Sequence, residues 1–173
     1  MRSSPPVPKK RFGQHFLVSP TVLSGILRLA ELTRDDTVLE IGAGTGVLTE
    51  ALAARVPRVV ALELDRDLLA PLRQRFDRTP QVEIIEADAL SFDFGSVADK
   101  MVVVANLPYA TAVPILTRLL ELRDRLRLLV VMLQREVAER FSASPGTKAY
   151  GSLTHMVQWH AVVKKGFLVP PSA

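Results

Sequence analysis

A polar and aromatic turn directly follows an apolar run at residues 102–109, which read Val-Val-Val-Ala-Asn-Leu-Pro-Tyr. The valine-rich run is typical of a buried parallel strand. Because ligands of open α/β sheets bind beyond the carboxyl ends of the strands, Asn106 and Tyr109 are candidate site residues. An Asn oxygen can accept a hydrogen bond from an exocyclic base amine, and a Tyr ring can stack on a base. The same letters also allow a plainer interpretation, a strand that ends in a proline turn.

A glycine-rich turn joins another predicted strand to a helix at Gly42-Ala43-Gly44-Thr45-Gly46. Glycines let the backbone approach a ligand closely, beside the N–H groups that begin the helix. Glu63 ends the next predicted strand, 21 residues after Gly42, where a carboxylate can bind ribose hydroxyls. Asp88 closes the strand after that. Each acid alone could be a solvated strand end, but three successive strands delivering such residues to one edge predict a nucleotide-type cofactor site.

The elements that would position these residues alternate along the chain. Strands are predicted at 37–41, 58–64, 82–87, 101–105, 128–133 and 161–169, and helices at 20–31, 45–55, 66–76, 111–122, 135–141 and 150–159. This alternation predicts an α/β fold with a doubly wound, mostly parallel sheet covered by helices on both faces. We expect one domain over residues 9–173, preceded by a Pro- and Ser-rich disordered tail at 1–8.

The distribution of charge favours a polyanionic partner. The net charge is +4, yet all 18 acidic residues lie between Glu31 and Glu139, where 13 basic residues leave a net −5, and the other nine basic residues flank that stretch. Two basic ends suggest contact with nucleic acid, although solubility alone would also explain them. The absence of Cys excludes disulfides and Cys-ligated zinc. With neither a signal-peptide pattern nor a membrane-length apolar run, we expect a cytoplasmic protein.

Several stretches of the chain resemble the small-subunit ribosomal RNA adenine dimethyltransferases, which dimethylate two adjacent adenines near the 3′ end of 16S rRNA. The matching stretches are residues 10–17, 39–46, 86–90, 106–109, 134–140 and 146–153. The last two distinguish this family from generic methyltransferases and from the related 23S rRNA dimethyltransferases of antibiotic resistance. Glu40 with its G-x-G-x-G turn resembles a class I S-adenosylmethionine site more than an NAD site. A non-catalytic rRNA-binding assembly factor and an NAD-dependent Rossmann dehydrogenase remain alternatives.

The resemblance implies roles for individual residues. Glu63 would hold the ribose hydroxyls of S-adenosylmethionine and Asp88 its adenine amine. The full set of implied cofactor contacts is His15, Leu17, Gly42, Gly44, Glu63, Asp88 and Asn106. The target base would be held by the Asn106 side-chain oxygen and the Leu107 carbonyl, and stacked by Tyr109. The implied partner is 16S rRNA in an immature small ribosomal subunit, with no metal and no membrane. Its phosphates would contact Lys9, Lys10, Arg11 and Lys148.

Members of that family continue beyond the Val-Pro-Pro-Ser-Ala with which this sequence stops. They add an aromatic residue, a further strand and a small helical domain. The resemblance therefore implies a chain that is incomplete at its C-terminal end and whose base pocket has one aromatic wall, Tyr109. Such a chain would bind the cofactor but transfer methyl groups poorly or not at all. The strand at 161–169 would lack its neighbour and become mobile, displaced or paired with another molecule.

Overall fold

The structure is a computed structural model that describes residues 19–108 and 110–170. Five strands form one parallel sheet in the order β3-β2-β1-β4-β5. The strands are β1 (Thr37–Ile41), β2 (Arg58–Glu63), β3 (Val82–Glu86), β4 (Met101–Asn106) and β5 (Leu126–Met132). The helices are α1 (Pro20–Leu29), α2 (Val47–Ala53), α3 (Arg66–Phe76), α4 (Ala112–Glu121), α5 (Arg135–Phe141) and α6 (Ser152–His160). The predicted doubly wound α/β sheet is confirmed.

Helices cover both faces of this sheet, which explains the unbroken apolar run along β4. Along β4 every residue from Met101 to Ala105 is buried. One face packs against α1, α2 and α3, and the other packs against α4, α5 and α6. A strand buried on both sides needs an unbroken apolar run rather than an alternating one, and the valine-rich sequence supplies it.

Local sequence signals set the starts of α1 and α3. The Ser19 hydroxyl accepts a hydrogen bond from the Val22 N–H at 3.4 Å, and Pro20 occupies the first turn of α1. Asp65 caps α3 in the same way, accepting from the Asp67 N–H at 3.2 Å. Strand β1 and helices α3 and α5 begin and end where the sequence predicts. Strand β5 begins two residues earlier than predicted, at Leu126.

The strand predicted at 161–169 is wrong, because residues 161–170 form no regular secondary structure. Ala161 and Val163 pack against the core on the α4–α6 side of the sheet. Phe167 instead meets α1, where a methyl carbon on Gly25 would lie 2.5 Å from its ring. Packing at both ends therefore carries the segment from one face of the sheet to the other. Within the part of the chain that the structure describes, β5 pairs on one side only, with β4.

Candidate functional site

The carboxyl ends of three neighbouring strands bring the glycine turn, Glu63 and Asp88 to one edge of the sheet. Strands β1, β2 and β3 are adjacent and parallel, so their ends point the same way. Glu63 is the last residue of β2, as predicted. Asp88 lies two residues beyond the end of β3, in a turn rather than in the strand itself. The strand order reverses beside β1, which is where doubly wound sheets hold their ligands.

The glycine turn lies against both β2 and the end of β4. Gly42, Gly44 and Gly46 have φ angles of +82°, +58° and +80°, in the left-handed region that glycine enters without strain. The N–H groups of Gly42 and Ala43 both donate to the Leu62 carbonyl, at 2.9 and 3.0 Å. A Cβ on Gly42 would lie 3.4 Å from the carbonyl oxygen of Asn106. The turn thus lies within van der Waals distance of the end of β4, and the positive φ of Gly42 is what disfavours any other residue there.

Glu63 is a buried carboxylate held by backbone N–H groups. Its Oε2 accepts from the Gly44 N–H at 2.8 Å, and its Oε1 accepts from the Leu64 and Asp65 N–H groups at 2.9 and 2.8 Å. These contacts join the glycine turn to the turn that begins α3. Since a carboxylate offers about four lone-pair positions, Glu63 keeps acceptor capacity for a ligand hydroxyl.

Glu40 is a second buried carboxyl with very different surroundings. It is 1% exposed, and within residues 19–108 and 110–170 neither of its oxygens has a hydrogen-bond partner. Burial raises the pKa of Glu40 to about 8, and the nearby charge of Glu63 adds to the shift. The nearby Thr49 hydroxyl lowers the pKa by more than the Glu63 charge raises it, although its geometry falls short of a hydrogen bond and burial outweighs both. Glu40 therefore carries a proton at neutral pH, which makes it a donor as well as an acceptor beneath the glycine turn.

Asp88 organises its own turn. Its Oδ1 accepts from the Leu90 N–H at 2.8 Å, and its backbone carbonyl accepts from the Ser91 and Phe92 N–H groups at 3.0 and 2.9 Å. The preceding Ala87 N–H donates to the Glu63 carbonyl at 3.2 Å. The turn is thereby fixed next to β2, with the Asp88 side chain exposed at the sheet edge.

Two exposed leucines at this edge were missed by sequence reasoning. Leu64, directly after Glu63, is 46% exposed, and Leu90, two residues after Asp88, is 39% exposed. Large apolar side chains left in water beside two carboxylates offer a surface for a flat apolar ring. The sequence does contain a signal for them, because Leu64 lies one residue beyond Glu63 and Leu90 lies two residues beyond Asp88, each near the end of a strand.

The end of β4 leads into a closed turn. Asn106 is the last residue of β4 and is half-buried, while the side chain of Leu107 is 2% exposed and anchored in the core. The Pro108 carbonyl accepts from the N–H groups of Thr111 and Ala112 at 3.1 and 3.0 Å, which fixes the start of α4. Asn106 is therefore held between a buried strand and an anchored turn, beside Gly42.

Of the four predicted RNA contacts, the structure describes Lys148, which is exposed in the connection between α5 and α6. The predicted site residues that lie outside the described ranges are Lys9, Lys10, Arg11, His15, Leu17 and Tyr109. Over the described ranges, no three His, Asp or Glu side chains come together as a metal site. No helix there is long and apolar enough to cross a membrane.

The strand order, the glycine turn with positive φ angles and the acids at the next two strand ends define a class I, Rossmann-like methyltransferase fold. Residues 8–173 match the ribosomal RNA adenine dimethylase family, and the chain belongs to that family. The predicted family is thus confirmed, and the dehydrogenase alternative is set aside. Two similar curated proteins are each described as ribosomal RNA small subunit methyltransferase A. The protein from Geobacter metallireducens is 43% identical over 170 residues, and that from Alcanivorax borkumensis is 45% identical over 169 residues.

Solved structures show the same relationship. A dimethyladenosine transferase from Plasmodium falciparum superposes with a TM-score of 0.76 at 32% identity, covering 83% of this chain and 52% of that one. The 23S rRNA methyltransferase ErmE superposes with a TM-score of 0.69 at 30% identity, covering 74% of this chain and 51% of that one. The two curated relatives align with 95% of this chain, which spans only 62% and 60% of their lengths.

Proposed function

We propose that this chain takes part in S-adenosylmethionine-dependent dimethylation of adenine N6 amines in small-subunit rRNA, at two adjacent adenines near the 3′ end. The observation that carries the proposal is the contact between the glycine turn and the end of β4, where a Cβ on Gly42 would lie 3.4 Å from the Asn106 carbonyl. A cofactor lying on that turn would present its reactive end to the polar residue at the end of β4. Donor and acceptor groups of a transfer reaction need this closeness.

The residues at the edge fit the cofactor. Glu63 can accept a hydrogen bond from a ribose hydroxyl, and Asp88 can accept one from the adenine amine. The exposed leucines, Leu64 and Leu90, provide apolar surface for the adenine ring between these two acids. When bound, S-adenosylmethionine supplies a methyl group already activated on a sulfonium. The task left to the chain is to hold cofactor and base in line.

Asn106 and Leu107 account for the reactivity of the base. The N6 amine of adenine is a weak nucleophile because its lone pair is delocalised into the ring. Acceptors at the Asn106 side-chain oxygen and the Leu107 carbonyl would hold both N–H bonds and favour a more tetrahedral nitrogen with an available lone pair. The N–H proton becomes acidic once the nitrogen bears the methyl group, so it can leave to water. Tyr109 would stack on a base that has left its own stack, a contact of about 1–3 kcal/mol.

The partner in this proposal is rRNA of an immature small ribosomal subunit in the cytoplasm. Its phosphates would meet the basic residues that flank the acidic middle of the chain, among them Lys9, Lys10, Arg11 and Lys148. A non-catalytic role in subunit assembly would use the same basic ends, and the outcome of the activity test separates the two.

The test is a single-turnover assay of methyl transfer to adenine N6 in small-subunit rRNA by a chain extended to the full length of the curated relatives, of which residues 1–173 span 62% and 60%. Cofactor affinity is measured by calorimetry on the same preparations. We expect Asn106→Ala to lower the transfer rate by roughly 100-fold, the effect of removing one preorganised hydrogen-bonding group. Thr111→Ala is the matched control, because it removes a hydroxyl that bonds the Pro108 carbonyl of the same turn at 3.4 Å. Cofactor affinity is compared in both variants, since Asn106 is also a proposed cofactor contact.

Three outcomes are distinguishable. Transfer to adenine N6 that depends on Asn106 supports the proposal. Transfer that is equally fast in Asn106→Ala contradicts the assigned chemistry. A chain extended to the full length of the curated relatives that binds the cofactor and rRNA but transfers no methyl group contradicts catalysis and favours the assembly role.

A further inference from the structure

We propose that Arg118, on α4, is a positioning residue for Asp88 and thereby sets the affinity of the site for its adenosyl cofactor. The inference rests on the proposed cofactor contact of Asp88. Arg118 lies on the helix that follows the Asn106 turn and is far from Asp88 in sequence, so no motif identifies it. Its guanidinium nevertheless binds the segment that carries Asp88. This segment, residues 87–93, is called here the Asp88 loop.

Two hydrogen bonds connect Arg118 to the Asp88 loop. Its Nη1 donates to the Ala89 carbonyl at 2.7 Å, and its Nη2 donates to the Phe92 carbonyl at 2.8 Å. A planar guanidinium holds its donors in fixed directions, so two bonds from one side chain fix the spacing of the two carbonyls. Arg118 thus bridges the turn across the residues that follow Asp88.

The guanidinium is itself held in place. Its carbon lies 4.9 Å from the ring centroid of Phe94, which is 2% exposed, and the Phe92 ring meets Phe94 edge-on at 5.8 Å. Among the residues that the structure describes, Arg118 has no carboxylate partner within ion-pair distance. Its charge is therefore directed at neutral carbonyls and an aromatic face, which suits a group that shapes a loop rather than one that neutralises an acid.

The contacts inside the Asp88 loop explain why this clamp reaches the carboxylate. The Leu90 N–H donates to Asp88 Oδ1, and the Phe92 N–H donates to the Asp88 carbonyl. The peptide units that Arg118 binds are thus directly linked to those that orient Asp88. Without Arg118 the Asp88 loop keeps its internal bonds, the bond from Ala87 to Glu63 before Asp88, and the bonds that Asp93 accepts from Gly95 and Ser96 at its far end. The residues directly after Asp88 lose their connection to α4, and the exposed carboxylate can then turn away from the ligand.

Arg125 provides a matched control. It also donates from Nη1 to a backbone carbonyl in the connection between β3 and β4, that of Gly95, at 2.7 Å. Gly95 lies outside the Asp88 loop, so Arg125→Gln removes the same kind of bond without releasing Asp88. If Arg118 contributes to stability alone, Arg118→Gln and Arg125→Gln should have similar affinities for the cofactor. If Arg118 positions Asp88, only Arg118→Gln should bind the cofactor more weakly.

The experiment measures binding of S-adenosylhomocysteine to the whole chain by calorimetry. We expect Arg118→Gln to weaken binding roughly tenfold, as expected when a charge-assisted hydrogen bond that orders a site is lost, and Arg125→Gln to change it less than about twofold. Arg118→Lys, which keeps the charge but replaces the rigid planar fork with a rotating ammonium, should fall between them. In an Asp88→Ala background the further effect of Arg118→Gln should nearly vanish. Amide hydrogen exchange at Leu90 and Phe92 should accelerate in the Arg118 variants.

Each failure has its own meaning. A wild-type chain that does not bind S-adenosylhomocysteine contradicts the proposed cofactor and leaves the role of Arg118 without a basis. Wild-type affinity in both Arg118 variants overturns the inference while leaving the cofactor proposal intact. Additive losses from Arg118→Gln and Asp88→Ala also overturn it, because Arg118 would then act by another route. If Arg118→Gln does not fold, Arg118→Lys is measured in its place.

Discussion

At the residue scale, two buried glutamates beside the glycine turn differ in what surrounds their carboxyl groups. Glu63 accepts three backbone N–H bonds, through which its side chain joins two turns. Glu40 has no such bonds, and burial raises its pKa to about 8. One acid thus serves as a hydrogen-bond acceptor between two turns, and the other is a neutral group under the same loop.

Replacing Glu63 tests its place in the site. We expect Glu63→Ala to weaken binding of S-adenosylhomocysteine by about 1–3 kcal/mol, because three N–H groups and a ligand hydroxyl lose their acceptor. Calorimetry measures the affinity, and Glu83→Ala, which removes an exposed glutamate paired with Arg58, is the control. Unchanged affinity in Glu63→Ala would remove Glu63 from the binding site.

Glu40 should make stability depend on pH. Its pKa is near 4.5 when unfolded and about 8 when folded, so between these values the folded state holds a proton that the unfolded state has released. Stability from this group is therefore present at low pH and falls by about 1.4 kcal/mol per pH unit as pH rises towards 8. We expect Glu40→Gln to gain stability relative to the wild type by that slope between pH 5 and pH 8.

Urea unfolding of both proteins at several pH values measures this difference. The comparison between the two cancels the contributions of other titrating groups, since they are common to both. Parallel stability curves for the wild type and Glu40→Gln would show that Glu40 is charged in the folded protein.

At the element scale, the glycine turn is fixed by the helices that pack behind it. The Arg75 guanidinium of α3 donates to the Thr45 carbonyl at 2.7 Å and pairs with Glu50 of α2 at 2.6 Å. The side chains of Leu72 and Phe76, also on α3, fill the space behind Gly46. Close packing therefore gives the turn one conformation, which a ligand-binding loop needs in order to keep the cost of ordering small.

Gly46→Ala tests this packing. Its φ of +80° strains any side chain, and the added methyl carbon would lie 2.8 Å from the Phe76 ring and 2.9 Å from Leu72. We expect a loss of about 2 kcal/mol or more in the free energy of unfolding, together with weaker cofactor binding.

Gly146→Ala is the matched control for that substitution. Its φ is +84°, but nothing lies within 4 Å of the added carbon, so it isolates the backbone strain from the clash. We expect a loss of about 1 kcal/mol. Equal losses in the two variants, measured by urea unfolding, would show that packing behind Gly46 contributes nothing.

At the scale of the whole molecule, a side chain of the edge strand β5 connects the sheet to the residues that follow α1. Arg127 of β5 donates to both carboxylate oxygens of Asp36 at 2.9 Å and to the Glu31 carbonyl at 3.0 Å. Burial alone would raise the pKa of Asp36, but hydrogen bonds from the Thr33 N–H and Arg127 lower it. The ion pair thus secures the end of α1 to the amino end of β5. Phe167 adds a contact to the same helix from the C-terminal segment.

Gly25→Ala should release that segment. The added methyl carbon would lie 2.5 and 2.6 Å from two ring atoms of Phe167, so the ring must leave α1. We expect faster tryptic cleavage after Lys164 and Lys165, although alanine alone would strengthen the helix by up to about 1 kcal/mol. Ser24→Ala, at an exposed position of the same helix, is the control. Cleavage at the wild-type rate would show that Phe167 does not hold the segment in place.

Local patterns in the sequence were enough to predict most strands and helices and the polar residues at the strand ends. Apolar runs, the Ser19 cap and the glycine turn act on neighbouring residues, so strands, helices and the candidates Glu63, Asp88 and Asn106 could be predicted from local patterns. Because the carboxyl ends of parallel strands lie at one edge of the sheet, the sequence also predicted that these residues lie close together.

Contacts between groups that are distant in the chain depend on the packing of the whole fold. Contact between Gly42 and Asn106 depends on β4 pairing with β1, and the clamp of Arg118 on the Asp88 loop depends on how α4 packs across the sheet. The burial that keeps Glu40 protonated also comes from elements far apart in the chain. Residues 161–170 have the composition of a strand, yet packing of Phe167 on Gly25 draws them to α1 instead. Such contacts cannot be predicted from local patterns, because they are stabilised by burying surfaces between segments that are remote in the chain.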